Sequence, residues 1–181
     1  VVDRPDDIAT RLARRLFDRP LVQNSFRGAF VEEMLAPTLA GFGWRHCGDD
    51  WSAWDFEHEF GCRLEVKQSA AAQSWLDLKG VPTKSPSFSI EEKAGYWTGG
   101  EYTLSPGRHA QIYLFAWHPI ADREIADHRK IEQWTFHLIE AKALPPGQDS
   151  IRLSVLVRLG ARSASAGNFG DALDQMRQSI A

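Results

Sequence analysis

Cysteine and methionine are nearly missing from this chain, at two residues each in 181. Two thiols, Cys47 and Cys62, are too few for a disulfide scaffold and form no metal-ligand cluster, so they read as reduced thiols of a cytoplasmic protein. No apolar run approaches the roughly 18 to 20 residues that cross a bilayer, and no membrane span is expected. Residues 1–15 mix charged with apolar groups and lack the hydrophobic block of a secretion signal. Positive charge is not in excess either. A net charge of −3 and a pI near 6.1 argue against bulk coating of nucleic acid but leave room for a local basic groove. The six histidines are scattered, so a zinc site is unsupported. Lysine is scarce beside arginine, the side chain suited to gripping phosphate or carboxylate through two parallel hydrogen bonds.

What remains is an ordinary globular composition, 43% hydrophobic and 25% charged, in a length that suits one domain over residues 1–181. The core is expected at about 24–140, with closing helices at about 150–179. Asp6 or Asp7 is placed to cap a first helix running to about Asp18, with Ile8, Leu12, Leu16 and Phe17 at helical spacing. A second helix begins near Asn24 or Ser25 and carries Phe26, Phe30 and Met34 beside Val31, Leu35 and Leu39. Pro37 is expected to kink or shorten it, and Gly41 and Gly43 to end it. Residues 51–58 and 62–68 alternate with period two around Glu59-Phe60-Gly61, a three-residue hairpin loop. Residues 69–110 read as irregular, with a short strand near Phe88 to Ile90. The runs 112–117 (IYLFAW) and 134–139 (WTFHLI) read as buried strands, and helices are expected near 153–159 and 169–178.

Chemistry concentrates on the hairpin. Pairing across a 59–61 loop sets Asp55 opposite Glu65, Glu57 opposite Arg63 and Phe56 opposite Leu64. One face then holds Trp54, Phe56, Leu64 and Val66, and the other Asp55, Glu57, Arg63, Glu65 and Lys67. Two carboxylates facing each other about 4.5 to 5.5 Å apart at Cβ are destabilising. A divalent cation removes that penalty, since Mg²⁺ prefers carboxylate oxygens. Lys67 projects from the same face, within reach of a phosphate or a metal-bound water. A second reading stays open, in which these charges are solvated ion pairs on a half-buried sheet, Glu57 with Arg63 and Asp55 with Lys67.

Asp55 followed after nine residues by Glu65-Val66-Lys67 resembles the signature of the PD-(D/E)XK phosphodiesterase superfamily, the restriction-endonuclease-like fold. Gly28 to Leu35 (GAFVEEML) is similar to the helix that supplies that family's additional glutamate, here Glu32, with Glu33 as the alternative. The position before Asp55 is Trp54 rather than proline, and residues 69–85 show no pattern for the helix expected after the lysine-bearing strand. The resemblance implies a three-layer α/β/α fold with a central mixed sheet. It also implies a Mg²⁺- or Mn²⁺-dependent nuclease that cuts DNA in restriction, repair or defence, with a homodimer or a partner subunit as its expected assembly. Asp55, Glu65 and Glu32 would hold the metal, and Lys67 would orient or deprotonate a water and stabilise the transition state. Gln68 points away from Lys67 and ranks low. The alternative is a non-catalytic member of the same fold that binds nucleic acid or a protein.

Because six acids crowd 49–65, phosphate contacts are sought elsewhere, at Arg27, Arg108 and His109, or at Arg11, Arg14 and Arg15. Trp75, Trp97 and Tyr102 are able to stack on bases, although partial burial in a loop is the expected state. His58 is expected to be a solvated turn residue.

Overall fold

Uninterrupted apolar runs demand burial on both faces, and the run at 112–117 sits at the middle of the sheet. A computed structural model describes residues 4–48, 52–75, 86–98 and 100–180. Its described elements are helices α1 (Pro5–Phe17), α2 (Asn24–Ala40), α3 (Leu153–Arg158) and α4 (Phe169–Ile180), together with ten strands. Six strands, β1 (Trp44–His46), β2 (Phe56–His58), β3 (Arg63–Ala70), β7 (Ile112–His118), β8 (Thr135–Glu140) and β10 (Arg162–Ala164), build one mixed sheet. Their order is β1-β2-β3-β7-β8-β10, with β3 and β7 parallel and every other pair antiparallel. The other four form two ribbons, β4 (Ser87–Ser89) with β9 (Ser150–Arg152), and β5 (Lys93–Thr98) with β6 (Glu101–Gly107). The chain is thus mixed α/β around a central mixed sheet.

Alternation along β7 divides two cores. Ile112, Leu114 and Ala116 pack with Leu64 and Val66 against Val31, Leu35 and Leu39 of α2 and Leu173 of α4. Tyr113 and Phe115 face the other way, onto Phe88 of β4, Ile90, Ile151 of β9 and Leu156 of α3. The face bearing Glu65 and Lys67 is therefore covered, and the reading of its charges as a solvated ion-pair surface does not hold for Glu65, which is 2% exposed. Among the described residues no helix is long and apolar enough to cross a membrane.

Several expectations need correction. α1 starts at Pro5 after Arg4, which leaves Asp6 and Asp7 in the first turn, where they favour the helix dipole rather than cap it. Asn24 is the first residue of α2, and the helix runs through Pro37 to Ala40. The strand expected over 51–58 begins at Phe56, and β1, in a stretch given no element by the sequence, pairs with it. Residues 93–107, expected to be irregular, form the β5–β6 ribbon. His58 is buried, its Nε2 2.9 Å from the Phe42 carbonyl.

Arg27 is a further correction. Expected to contact nucleic acid, it is 2% exposed, and its guanidinium donates to Gln68 Oε1 (2.6 Å), Gln73 Oε1 (3.0 Å) and Asn24 Oδ1 (2.7 Å). Burial lowers its pKa to about 10. It clamps α2 to the end of β3. Arg27→Met should cost about 3 kcal/mol in urea denaturation by stranding those acceptors; an unchanged midpoint would remove the clamp from the account.

Candidate active site

The hairpin register near its tip is the expected one, Phe56 opposite Leu64 and Glu57 opposite Arg63, closed by Gly61 at φ +81°. One rung later it fails. The Asp55 N–H donates to the Leu64 carbonyl (3.0 Å), so two residues stand opposite one, as in a β-bulge. Asp55 consequently does not sit in a rung with Glu65. Its Oδ2 instead accepts from the Val66 N–H at 2.6 Å. The slip also inverts the phase of Trp54, which leaves the core face assigned to it and lies with the second core. There its ring stacks under the Arg63 guanidinium, 3.7 Å from the centroid.

Glu65 still acts on Asp55 through its charge. Burial, then Glu65, then Glu32 push the Asp55 pKa up to about 8, against the Val66 N–H and Lys67, which lower it. Glu65 has two different oxygens. Oε1 accepts from Lys67 Nζ (2.5 Å) and lies 3.4 Å from Lys93 Nζ, whereas Oε2 is buried with no hydrogen-bond partner among the described residues. Burial opposes the Lys67 ammonium, but Glu65, Asp55 and Glu32 outweigh it and hold its pKa above the ordinary lysine range. Lys67 is therefore a fixed cation. Glu32 faces this group from α2 while Glu33 is exposed, which selects between the two candidates by position. Its Oε2 is 3.1 Å from His46 Nε2 on β1. Gly48 is the spacer there, since a Cβ on it would stand 3.1 Å from Glu32 Oε2 and 3.4 Å from the Asp55 Cα.

Three participants escaped the sequence reading. Lys93 of β5 donates to the Ser52 carbonyl (3.0 Å) beside Glu65, and no pattern in the Gly- and Pro-rich stretch around it marked it. Tyr113 stands opposite Glu65 in the β3–β7 register, and burial with Glu65 nearby pushes its phenol pKa well up. His46 lies on β1, a strand that no sequence pattern announced. Among the described residues no group of three or more His, Cys, Asp or Glu side chains converges at ligating spacing.

Arg108 and His109, expected at a nucleic-acid surface, are engaged internally. Arg108 donates to the carbonyls of Ile90 (3.0 Å) and Pro145 (2.9 Å), and the His109 ring packs on Tyr96. Arg15 lies in open surroundings, lining a cleft of about 770 Å³ with Arg19 and Trp75 where α1 meets α2. Comparison with protein-family models, curated proteins and solved structures returns no match.

The raised Asp55 pKa carries a sign. The folded state keeps a proton that the unfolded chain releases near pH 4, so stability falls as pH rises from about 4 to about 8. Asp55→Asn, which keeps an acceptor for Val66, should melt higher than the native chain above about pH 8 without divalent ions, with the gap closing toward pH 4. A gap independent of pH would refute the shift.

Proposed function

We propose that this chain is a metal-dependent phosphodiesterase that hydrolyses nucleic acid, most readily DNA, on a restriction-endonuclease-like fold. The observation that carries the reading is Glu65 Oε2, buried with no hydrogen-bond partner among the described residues, near a carboxyl whose ionisation is suppressed by burial and then by its charged neighbours. Proteins leave such an oxygen unsatisfied where an ion or a proton completes it. The donor set fits Mg²⁺ or Mn²⁺, because Mg²⁺ is commonly held by one or two carboxylates and keeps its other positions for water and phosphate. Asp55 and Glu65 would hold the ion. When bound, it supplies charge neutralisation at the scissile phosphate and a water of lowered pKa.

The chain's own groups do the rest. Lys67 and Lys93 offer two ammonium groups on one side of Glu65, set to stabilise negative charge that grows on the phosphoryl oxygens as water adds to phosphorus and the ester oxygen leaves. Lys67 is held protonated by its carboxylate neighbours, so it serves as a charge rather than as the base that takes the water's proton. Glu32 is already tied to His46 and acts on the site through its field on Asp55 and Lys67. The apolar layer over Tyr113 and Phe115 excludes water from one side and strengthens each of these interactions. The three-layer arrangement of the family agrees with α2 and α4 on one face. The other face is covered by the β4–β9 ribbon and the short α3 instead of a long helix.

A second reading has its own observation. With no group of three or more ligating side chains among the described residues and Glu65 Oε1 already paired to Lys67, the site also suits a binding module of the same fold that never takes an ion. Calorimetric titration with Mn²⁺ separates the two, since a module of that kind takes up none.

Incubating plasmid and single-stranded DNA with the chain should give cleavage that needs Mg²⁺ or Mn²⁺ and stops with chelator. Asp55→Ala, Glu65→Ala and Lys67→Ala should each lower it by about 100-fold or more while the fold persists. Cleavage that survives Asp55→Ala and Glu65→Ala together would reject the site.

A further inference from the structure

The β5–β6 ribbon leaves large aromatic groups in water. Its register sets Trp97 opposite Tyr102 and Gly95 opposite Leu104. Alternation places these four on one face and Tyr96 on the other. Tyr96 docks the ribbon inward, on Trp54 (5.7 Å) and His109 (4.8 Å). Trp97, Tyr102 and Leu104 stay 48%, 47% and 75% exposed. A two-stranded ribbon has little stability to spare, and an exposed apolar cluster on one marks a surface that something covers.

The placement of the rings is specific. Trp97 and Tyr102 are a cross-strand pair with centroids 5.5 Å apart. Tyr102 lies across Gly95, where an added Cβ would stand 2.7 Å from the phenol oxygen and 2.8 Å from the ring carbon bearing it. The Thr103 carbonyl oxygen would stand nearer still, so glycine at 95 admits both the facing strand and the ring. Gly95, Trp97 and Tyr102 line a cleft of about 540 Å³, and Lys67 and Lys93 line it too. Its volume falls within the roughly 300 to 1,000 Å³ typical of small-ligand clefts. Aromatic faces and two ammonium groups in one such space match the two halves of a nucleotide, a flat base and an anionic phosphate. Glu91 and Glu92 also line the cleft and disfavour a phosphate near them, which leaves the lysines to receive it.

We infer that this cleft takes one unstacked nucleotide of a single-stranded nucleic acid, its base laid on the Trp97–Tyr102 pair and its phosphate directed to Lys67 and Lys93. The inference rests on the phosphodiesterase reading for the role of the phosphate and deepens it by naming the substrate class. A base inside a duplex presents no free face to the ribbon, so single strands, frayed ends and loops are selected over paired helix. Stacking tolerates any base, and the selection is for strandedness rather than sequence.

Binding measured in chelator tests this without needing catalysis. Fluorescein-labelled oligo(dT) and a blunt duplex are titrated by fluorescence anisotropy with the full chain. Oligo(dT) should bind more tightly than the duplex. Trp97→Ala and Tyr102→Ala should each weaken oligo(dT) binding by roughly tenfold, while the weaker duplex binding is unmoved. Trp97→Phe, which keeps a stacking face, should restore most of the loss and shows that the alanine effect is not misfolding. Equal affinity for the two probes, no binding of either, or oligo(dT) binding indifferent to Trp97→Ala would overturn the inference. The two proposals fail separately: stacking-dependent binding without Mg²⁺-dependent cleavage removes only the hydrolase, and cleavage indifferent to Trp97→Ala removes only the stacking cleft.

Discussion

The burial of Glu65 next to Asp55 is the constraint around which the molecule is arranged. A carboxylate in an apolar layer costs several kcal/mol unless compensated, and Glu65 is covered by the same core that holds Tyr113 and Phe115. Lys67 and Lys93 compensate one of its oxygens, and nothing in the described protein compensates the other. Asp55 carries the remaining imbalance as an elevated pKa. A group of charges that a cation or a proton would complete, built into the centre of a sheet, is costly as mere scaffold, and that cost is the physical reason to read it as a site.

The slip at Asp55 links this constraint to the rest of the fold. By setting two residues opposite Leu64 it frees the Asp55 carboxylate to cap the Val66 N–H and turns Trp54 to the far face. Trp54 then meets Arg63 and Tyr96, and Tyr96 anchors the ribbon whose opposite face displays Trp97 and Tyr102. The same ribbon brings Lys93 to Glu65. One inserted residue therefore positions the carboxylate, the second cation and the aromatic pair together.

Much of this was legible in residue order. Val31, Leu35 and Leu39 marked the face of α2, the IYLFAW run marked the central strand, and Glu59-Phe60-Gly61 fixed the hairpin tip. Asp55, Glu65, Lys67 and Glu32 were grouped by their resemblance to the PD-(D/E)XK signature, and the rung pairing expected of Asp55 and Glu65 did not hold. The slip was invisible because period-two alternation assumes an unbroken ladder, and a single extra residue reverses every side chain beyond it. The ribbon was hidden for a different reason. Lys93 to Gly107 contains Gly95, Gly100, Pro106 and Gly107, which suggest loop by propensity, yet Gly95 admits the close approach of the Thr103 carbonyl and the Tyr102 ring, and Gly100, at φ +85°, belongs to the ribbon's turn. Arg27, Arg108 and His109 were drawn to the surface by their chemistry, whereas tertiary contacts place them inside.

Burial, together with the charges of Glu65 and Glu32, keeps the Asp55 carboxyl protonated near neutral pH when no cation is bound. Carbon-13 NMR of the Asp55 carboxyl, assigned by its loss in Asp55→Asn and titrated with and without Mg²⁺, tests it directly. The account predicts a midpoint near 8 in the metal-free chain that falls by more than about one unit when Mg²⁺ is added. An ordinary midpoint near about 4 that Mg²⁺ leaves unmoved would contradict it.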